Sequence, residues 1–168
     1  MVIHVHNVKG RIAVVSSYLQ PGTLLGLQNL TQIITALQSR NTPLLVCADL
    51  NGHSPWWGRS ECNEAGEQIE HYILATDLHA HNDPKSPPTF QRASSSGQWL
   101  DLTLSSSSLV DKIQDWRVDP GAINFSDHEL ICWSLDLVLQ TKPKSKGGIG
   151  IRQTGPYSTF SSSAVSPG

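Results

Sequence analysis

Leu44-Leu45-Val46-Cys47-Ala48 is an unbroken apolar run that stops abruptly at Asp49-Leu50-Asn51-Gly52. A short run without polar alternation, opened after Pro43 and closed by turn residues, predicts a strand buried on both faces. Such a strand requires a sheet with a further layer on each side. The polar residues that end it lie where sites are usually built.

The flanking sequence supplies those layers. Val2–Asn7 and Arg11–Tyr18 read as two strands of an opening hairpin joined by Val8-Lys9-Gly10. Leu27, Leu30, Ile33, Ile34 and Leu37 recur at helical spacing, predicting an amphipathic helix that ends near Ser39-Arg40-Asn41. Gly52–Ser60 reads as a loop, and Asn63 as the N-cap of a helix over Glu64–Leu74 with acidic residues in its first turns. Leu78–Asn82 is a short strand, Asp83–Pro88 a Pro-rich loop and Ala93–Gly97 a polar turn. Trp99–Leu104 alternates, with Leu100, Leu102 and Leu104 on one face and Trp99, Asp101 and Thr103 on the other. Asp111–Val118 gives a helical turn and a strand, and Asp127–Leu137 a closing strand with Ile131, Trp133, Leu135 and Leu137 on one side. The pattern predicts a layered α/β body, with sheets face to face and helices outside.

Charge divides the 168 residues unevenly. Residues 1–138 carry 8 Lys and Arg against all 14 Asp and Glu, whereas 139–168 carry 4 basic residues and no acidic one. The body is therefore acidic, which argues mildly against strong long-range attraction to a phosphodiester partner and suits a cation site equally well. Residues 1–138 are read as one domain and 139–168, rich in Ser, Gly and Pro, as a flexible basic tail. Collagenous, coiled-coil and wholly disordered classes are excluded. No run approaches the roughly 20 apolar residues of a membrane helix, and Met1–Lys9 lacks signal-peptide character, so an intracellular protein is expected. Cys47, Cys62 and Cys132 form an odd set without CxxC spacing, predicting neither a disulfide framework nor a zinc knuckle.

Four polar groups end or interrupt the apolar strands: Asp49 with Asn51, His53 in the next loop, Asp101 within its strand, and Asp127-His128 opening the last one. Singly, each is more often a turn or cap. Together, carboxylates, an imidazole and a carboxamide at strand ends are what metal-assisted phosphoryl hydrolysis requires. A carboxylate on an apolar strand needs a partner, and for Asp101 the natural one is His128.

Six ordered blocks carry a resemblance: Ser17–Pro21, Cys47–Gly58, Asn63–Gly66, Pro88–Phe90, Leu100–Thr103 and Ser126–His128. Over about residues 11–137 the chain resembles the endonuclease/exonuclease/phosphatase superfamily, in particular the apurinic-endonuclease-like domain of insect non-LTR retrotransposons. The resemblance implies a four-layer α/β/β/α sandwich and a nuclease that uses Mg²⁺ (or Mn²⁺) to hydrolyse DNA by in-line attack of water. It implies that Asp49 orients or activates that water and binds metal, that Asn51 assists, and that Asp101 holds the imidazole of His128 at the phosphate. Asp127 would orient the site or bind metal, and Tyr18 would donate its hydroxyl to a phosphate oxygen. Tyr18, His53, Trp56 and Trp57 would face DNA, although the residues alone leave both tryptophans equally open to packing on their own scaffold. The resemblance also places an Asn and a metal-binding Glu upstream of the Tyr18 block, whereas Val2–Arg11 holds no carboxylate. A fold incomplete at its N-terminus, a fragment or degenerate copy with impaired activity, is the corresponding expectation. A nuclear location and a reverse transcriptase domain elsewhere in the element belong to the same implication.

Other motifs are weaker. A calcium loop starting at Asp49 fails because Ser54 and Ser60 stand where Gly and Glu are required. His4/His6 and His79/His81 have strand spacing but no third ligand in register. Asn29-Leu30-Thr31 and Asn124-Phe125-Ser126 match the glycosylation pattern, which an intracellular chain does not use. Three functions compete: a DNA endonuclease, a non-catalytic remnant that binds nucleic acid or protein, and a phosphoesterase of the same superfamily acting on a small phosphorylated lipid or inositol.

Overall fold

The apolar run Leu44–Ala48 lies at the centre of a five-stranded sheet. The fold is taken from a computed structural model that describes residues 1–7, 10–22, 25–92, 96–122, 126–136 and 159–162. Eight strands and two α-helices follow in the order β1 (Val2–Asn7), β2 (Gly10–Tyr18), α1 (Leu25–Gln38), β3 (Leu44–Asp49), α2 (Glu64–Ala75), β4 (Leu78–Ala80), β5 (Asp101–Ser106), β6 (Ile113–Asp119), β7 (Leu130–Leu135) and β8 (Thr159–Ser162). One sheet has the order β1-β2-β3-β5-β4 and the other β6-β7-β8. The hairpin β1–β2 is antiparallel, β2 and β3 run parallel with α1 as their crossover, and β3 and β5 are antiparallel.

Alternation along the strands separates two cores. Ala13 and Val15 on β2, Leu44, Val46 and Ala48 on β3, and Leu102 and Leu104 on β5 face α1 (Leu30, Ile34, Leu37) and α2 (Ile69, Tyr72, Ile73). On the opposite face Leu45 and Cys47 meet Ile113, Val118, Ile131 and Trp133 of the second sheet. Burying each large aliphatic side chain contributes about 1.5–3 kcal/mol, so β3, buried on both sides, anchors both interfaces. Trp116 of β6 donates its Nε1–H to Thr103 Oγ1 of β5 at 2.9 Å, joining the sheets through a polar contact.

The expected α/β sandwich is the fold, and the described residues supply three of its layers, α/β/β. Several boundaries differ from expectation. Strand β5 begins at Asp101, and Trp99, ahead of it, packs into the helix-side core instead of following the strand's alternation. Strand β7 begins at Leu130, which leaves Asp127 and His128 in the approach to it. Within the stretch read as a flexible tail, Thr159–Ser162 forms a strand paired with β7 from Ile131↔Ser162 to Ser134↔Thr159. The free edge of β7 supplies the hydrogen-bonding groups, and Thr159 and Phe160 the strand-favouring residue types. Val8, Lys9, Ala93–Ser95, Asn124, Phe125, Leu137 and the rest of residues 139–168 lie outside the described residues.

Candidate active site

The register of the large sheet places three predicted residues in one row. Tyr18 on β2 pairs with Asp49 on β3, and Asp49 pairs with Asp101 on β5. Asp49 and Asp101 share the face of β3 and β5 that carries Leu45, Cys47 and Thr103, so their carboxylates lie at the rim between the sheets. His128 arrives from the second sheet's side, where Phe90 bridges to it as an antiparallel partner. Its Nδ1 lies 2.9 Å from Asp101 Oδ2, and its Nε2 lies 3.8 Å from Asp49 Oδ2. Residues spread over eighty positions of sequence thus meet at one point.

Burial sets the electrostatics. Asp49 is 6% exposed and Asp101 5%. Burial pushes the Asp49 carboxyl up to about 6; the Asp101 carboxylate adds to the rise, while His128 and the Asn51 N–H oppose it. The His128 imidazole is held above its ordinary range chiefly by its hydrogen bond to Asp101, with the charges of Asp101, Asp49 and Asp127 in support and burial opposing. The imidazolium is therefore favoured, and it compensates one of the two carboxylates.

Asn51 has φ +51°, a left-handed conformation that Asn tolerates better than most residues, and this turn ends β3. Its backbone N–H donates to Asp49 Oδ1 (3.2 Å), and its Nδ2 donates to the Leu19 carbonyl (2.9 Å), tying the ends of β2 and β3 together. Tyr18 is 55% exposed at the same row.

Two residues that sequence reasoning missed hold Asp101 in place. Thr89 is fully buried, and its Oγ1 accepts the backbone N–H groups of Leu100 (3.0 Å) and Asp101 (3.1 Å). Asn82 extends the edge where β4 ends: its Nδ2 donates to the Asp101 carbonyl and its Oδ1 accepts from Thr103 N–H, both at 2.9 Å. Phe90 adds a ring 4.9 Å from that of His128 at 68°, an edge contact. Thr89 and Phe90 belong to a block quoted for its resemblance, which was the signal available; Asn82 gave none beyond its place at a strand end.

The remaining predicted residues do not join the cluster. Asp127 accepts from Arg92 Nε at 2.9 Å on the surface, outside the group formed by Asp49, Asp101 and His128. His53 uses its backbone: its N–H donates to Asn63 Oδ1, and its carbonyl accepts from Asn63 N–H, so the loop is pinned to the start of α2. Gly66 lies so close that a Cβ there would fall 1.8 Å from the His53 carbonyl oxygen. The two tryptophans separate. Trp57 is completely buried and donates its Nε1–H to the Gly52 carbonyl at 3.0 Å, so it is a core residue that fixes the loop and cannot face DNA. Trp56 is 44% exposed beside Leu74, Leu78 and His79. His81 Nε2 is engaged with Ser105 Oγ at 2.7 Å, and among the described residues the His79/His81 pair gathers no third ligand.

One ligand atom each from Asp49, Asp101 and His128 falls within 4.8 Å of the others, a group able to hold a metal ion. Among the described residues, Asp101 Oδ1 is buried without a hydrogen-bond partner. Carboxylate oxygens with unused lone pairs suit a hard divalent cation.

The family model described as endonuclease-reverse transcriptase matches residues 12–132. The chain belongs to that family. Within the endonuclease/exonuclease/phosphatase superfamily it is retrotransposon-endonuclease-like, as the ordered motifs led one to expect. Its structure resembles the endonuclease domain of TRAS1, a telomere-specific non-LTR retrotransposon, with a TM-score of 0.70 and 25% identity over 82% of this chain and 63% of that one. It also shares its fold with the 3′-5′ exonuclease NExo from Neisseria meningitidis (TM-score 0.61, 17% identity, 81% of this chain and 65% of that one). The AP endonuclease from Archaeoglobus fulgidus is similar in the same way (TM-score 0.54, 19% identity, 81% and 65%). The chain thus spans less than two thirds of each of these proteins. No curated protein sequence matches it significantly. Among the described residues no helix is long and apolar enough to cross a membrane.

Proposed function

We propose that this family member is the phosphodiester-cleaving part of a metal-dependent DNA endonuclease from a retrotransposon-type element. The observation that supports this most is the contact of His128 with both Asp101 and Asp49 at one buried rim, from three separate parts of the chain. Asp101 accepts from His128 Nδ1–H, fixes the orientation of the ring and favours the imidazolium, so that Nε2–H is presented towards Asp49 and the phosphate that docks there. Asp49, with its carboxyl near 6, is ionised at neutral pH yet basic enough to take a proton from an attacking water. Tyr18, exposed next in the row, donates its hydroxyl to a phosphate oxygen, and Asn51 keeps Asp49 oriented through its backbone N–H.

Asp49 and Asp101 fit Mg²⁺ or Mn²⁺ by donor type, and the orphaned Asp101 Oδ1 marks a lone pair available to it. Such an ion supplies Lewis-acid neutralisation of phosphate charge. Asp49 is the first acidic residue of the chain, so the upstream Glu that the resemblance calls for is not among residues 1–48. With no acidic residue among positions 1–48, this chain holds the ion weakly and has impaired activity. A reverse transcriptase in the same element and a nuclear site of action complete the proposal.

The test is nicking of supercoiled plasmid in Mg²⁺ by this chain and by Asp49→Asn and His128→Gln. Slow, chelator-sensitive nicking that drops by about 10²-fold or more in each variant is expected. Full activity in both variants removes the assignment. No turnover by the wild type, with DNA binding retained, favours the non-catalytic remnant.

A further inference from the structure

The acidic centre needs a counterweight for an approaching phosphodiester, and the approach to β7 carries one that the sequence did not single out. Gln91 N–H donates to the Asp127 carbonyl and Glu129 N–H to the Thr89 carbonyl, both at 2.8 Å, so residues 89–91 run beside 127–129 like a short ladder. This pairing sets Arg92 against Asp127, and Phe90 against His128. The Arg92 Cζ lies 5.3 Å from the Phe90 ring centroid, which is itself 4.9 Å from that of His128. The guanidinium is therefore within about 10 Å of the imidazole, across one aromatic ring. One DNA strand presents a phosphate about every 3.4 Å along the axis, so this span reaches phosphates flanking the one cleaved.

From this geometry we infer that Arg92 is a backbone-phosphate contact for DNA, and that Asp127 and Phe90 are its positioning residues. The inference rests on the nuclease reading and deepens it. The side chains of Arg92 and Asp127 are 67% and 53% exposed, and an ion pair in that much solvent contributes little to folding. What the pair does achieve is orientation. Asp127 takes the Nε side of the guanidinium, and the Phe90 ring lies against it, so the positive charge of a long side chain is held at the rim where phosphates would pass. It also gives Asp127 a role other than metal ligand. The body holds 14 acidic residues against 8 basic ones, which makes a fixed cation at the rim more consequential for a polyanion.

The experiment measures affinity for a labelled DNA duplex by fluorescence anisotropy across a salt series, in chelator so that no cleavage occurs. Removing one phosphate contact lowers the slope of log affinity against log salt by about 0.9. Arg92→Ala is expected to show that loss and several-fold weaker binding at low salt. Arg92→Lys should keep the slope, and Asp127→Ala, which leaves the cation but releases its orientation, should keep the slope while weakening binding at low salt. Should Arg92→Ala fail to fold, Arg92→Gln carries the same expectation. Wild-type binding with an unchanged slope in Arg92→Ala overturns the role of Arg92 and leaves the nuclease reading standing. Absence of salt-dependent binding by the wild type overturns both.

Discussion

Thr89→Val isolates the device that holds Asp101 in place. The Thr89 hydroxyl is fully buried and accepts two backbone N–H groups, from Leu100 at 3.0 Å and Asp101 at 3.1 Å. Valine fills nearly the same space, so no cavity opens, but both N–H groups lose their acceptor where water cannot replace it. An unsatisfied buried donor costs about 1–3 kcal/mol, giving about 2–6 kcal/mol for the pair. For a body of this size that corresponds to a fall in Tm on the order of 10 °C. Thr89→Ser keeps the hydroxyl and loses one methyl, a cost of about 1 kcal/mol. Thermal and urea unfolding followed by circular dichroism checks the ordering. The reasoning fails if Thr89→Val melts within about 2 °C of wild type, or if serine proves as costly as valine, since packing and not the two hydrogen bonds would then be responsible.

The tryptophan loop gives a second expectation. Trp57→Ala should destabilise by about 3–5 kcal/mol, whereas Trp56→Ala should cost less than about 1 kcal/mol, as urea titration of both will report. A third concerns pH. The Asp49 carboxyl, raised from 3.8 to about 6 by folding, favours the folded state below pH 3.8 and withdraws that support as pH rises to about 6. Asp49→Asn should therefore be more stable than wild type at neutral pH in chelator, with the advantage shrinking as pH falls to about 4. Equal stability of the two proteins across that range would show that Asp49 is not strained by its burial.

Much of this centre was legible because its chemistry sits at pattern breaks. Leu44–Ala48 announces a buried strand, so the Asp49 that ends it is conspicuous, and the alternation of β5 turns Asp101 away from Leu102 and Leu104. The same logic failed where neighbouring residues share a chemistry but not an environment. Trp56 and Trp57 are adjacent and alike, and only the 3₁₀ turn over Pro55–Trp57 sends one inward and leaves the other at the surface. Thr89 and Asn82 act through hydrogen bonds to the backbone of a distant strand, which no local pattern records. Asp127 stands beside His128 in sequence, yet its partner, Arg92, lies 35 residues away. The pairing of Thr159–Ser162 with β7 depends on an open strand edge, a property of the assembled sheet and not of those four residues.

Convergence of Asp49, Asp101 and His128 into one working unit is the centre of the account, and a double-mutant cycle on plasmid nicking tests it most directly. If Asp101 acts by holding His128, Asp101→Asn and His128→Gln each lose most of the activity, and the double variant is no slower than the worse single one. Losses that multiply in the double variant, or full activity in either single one, would contradict it.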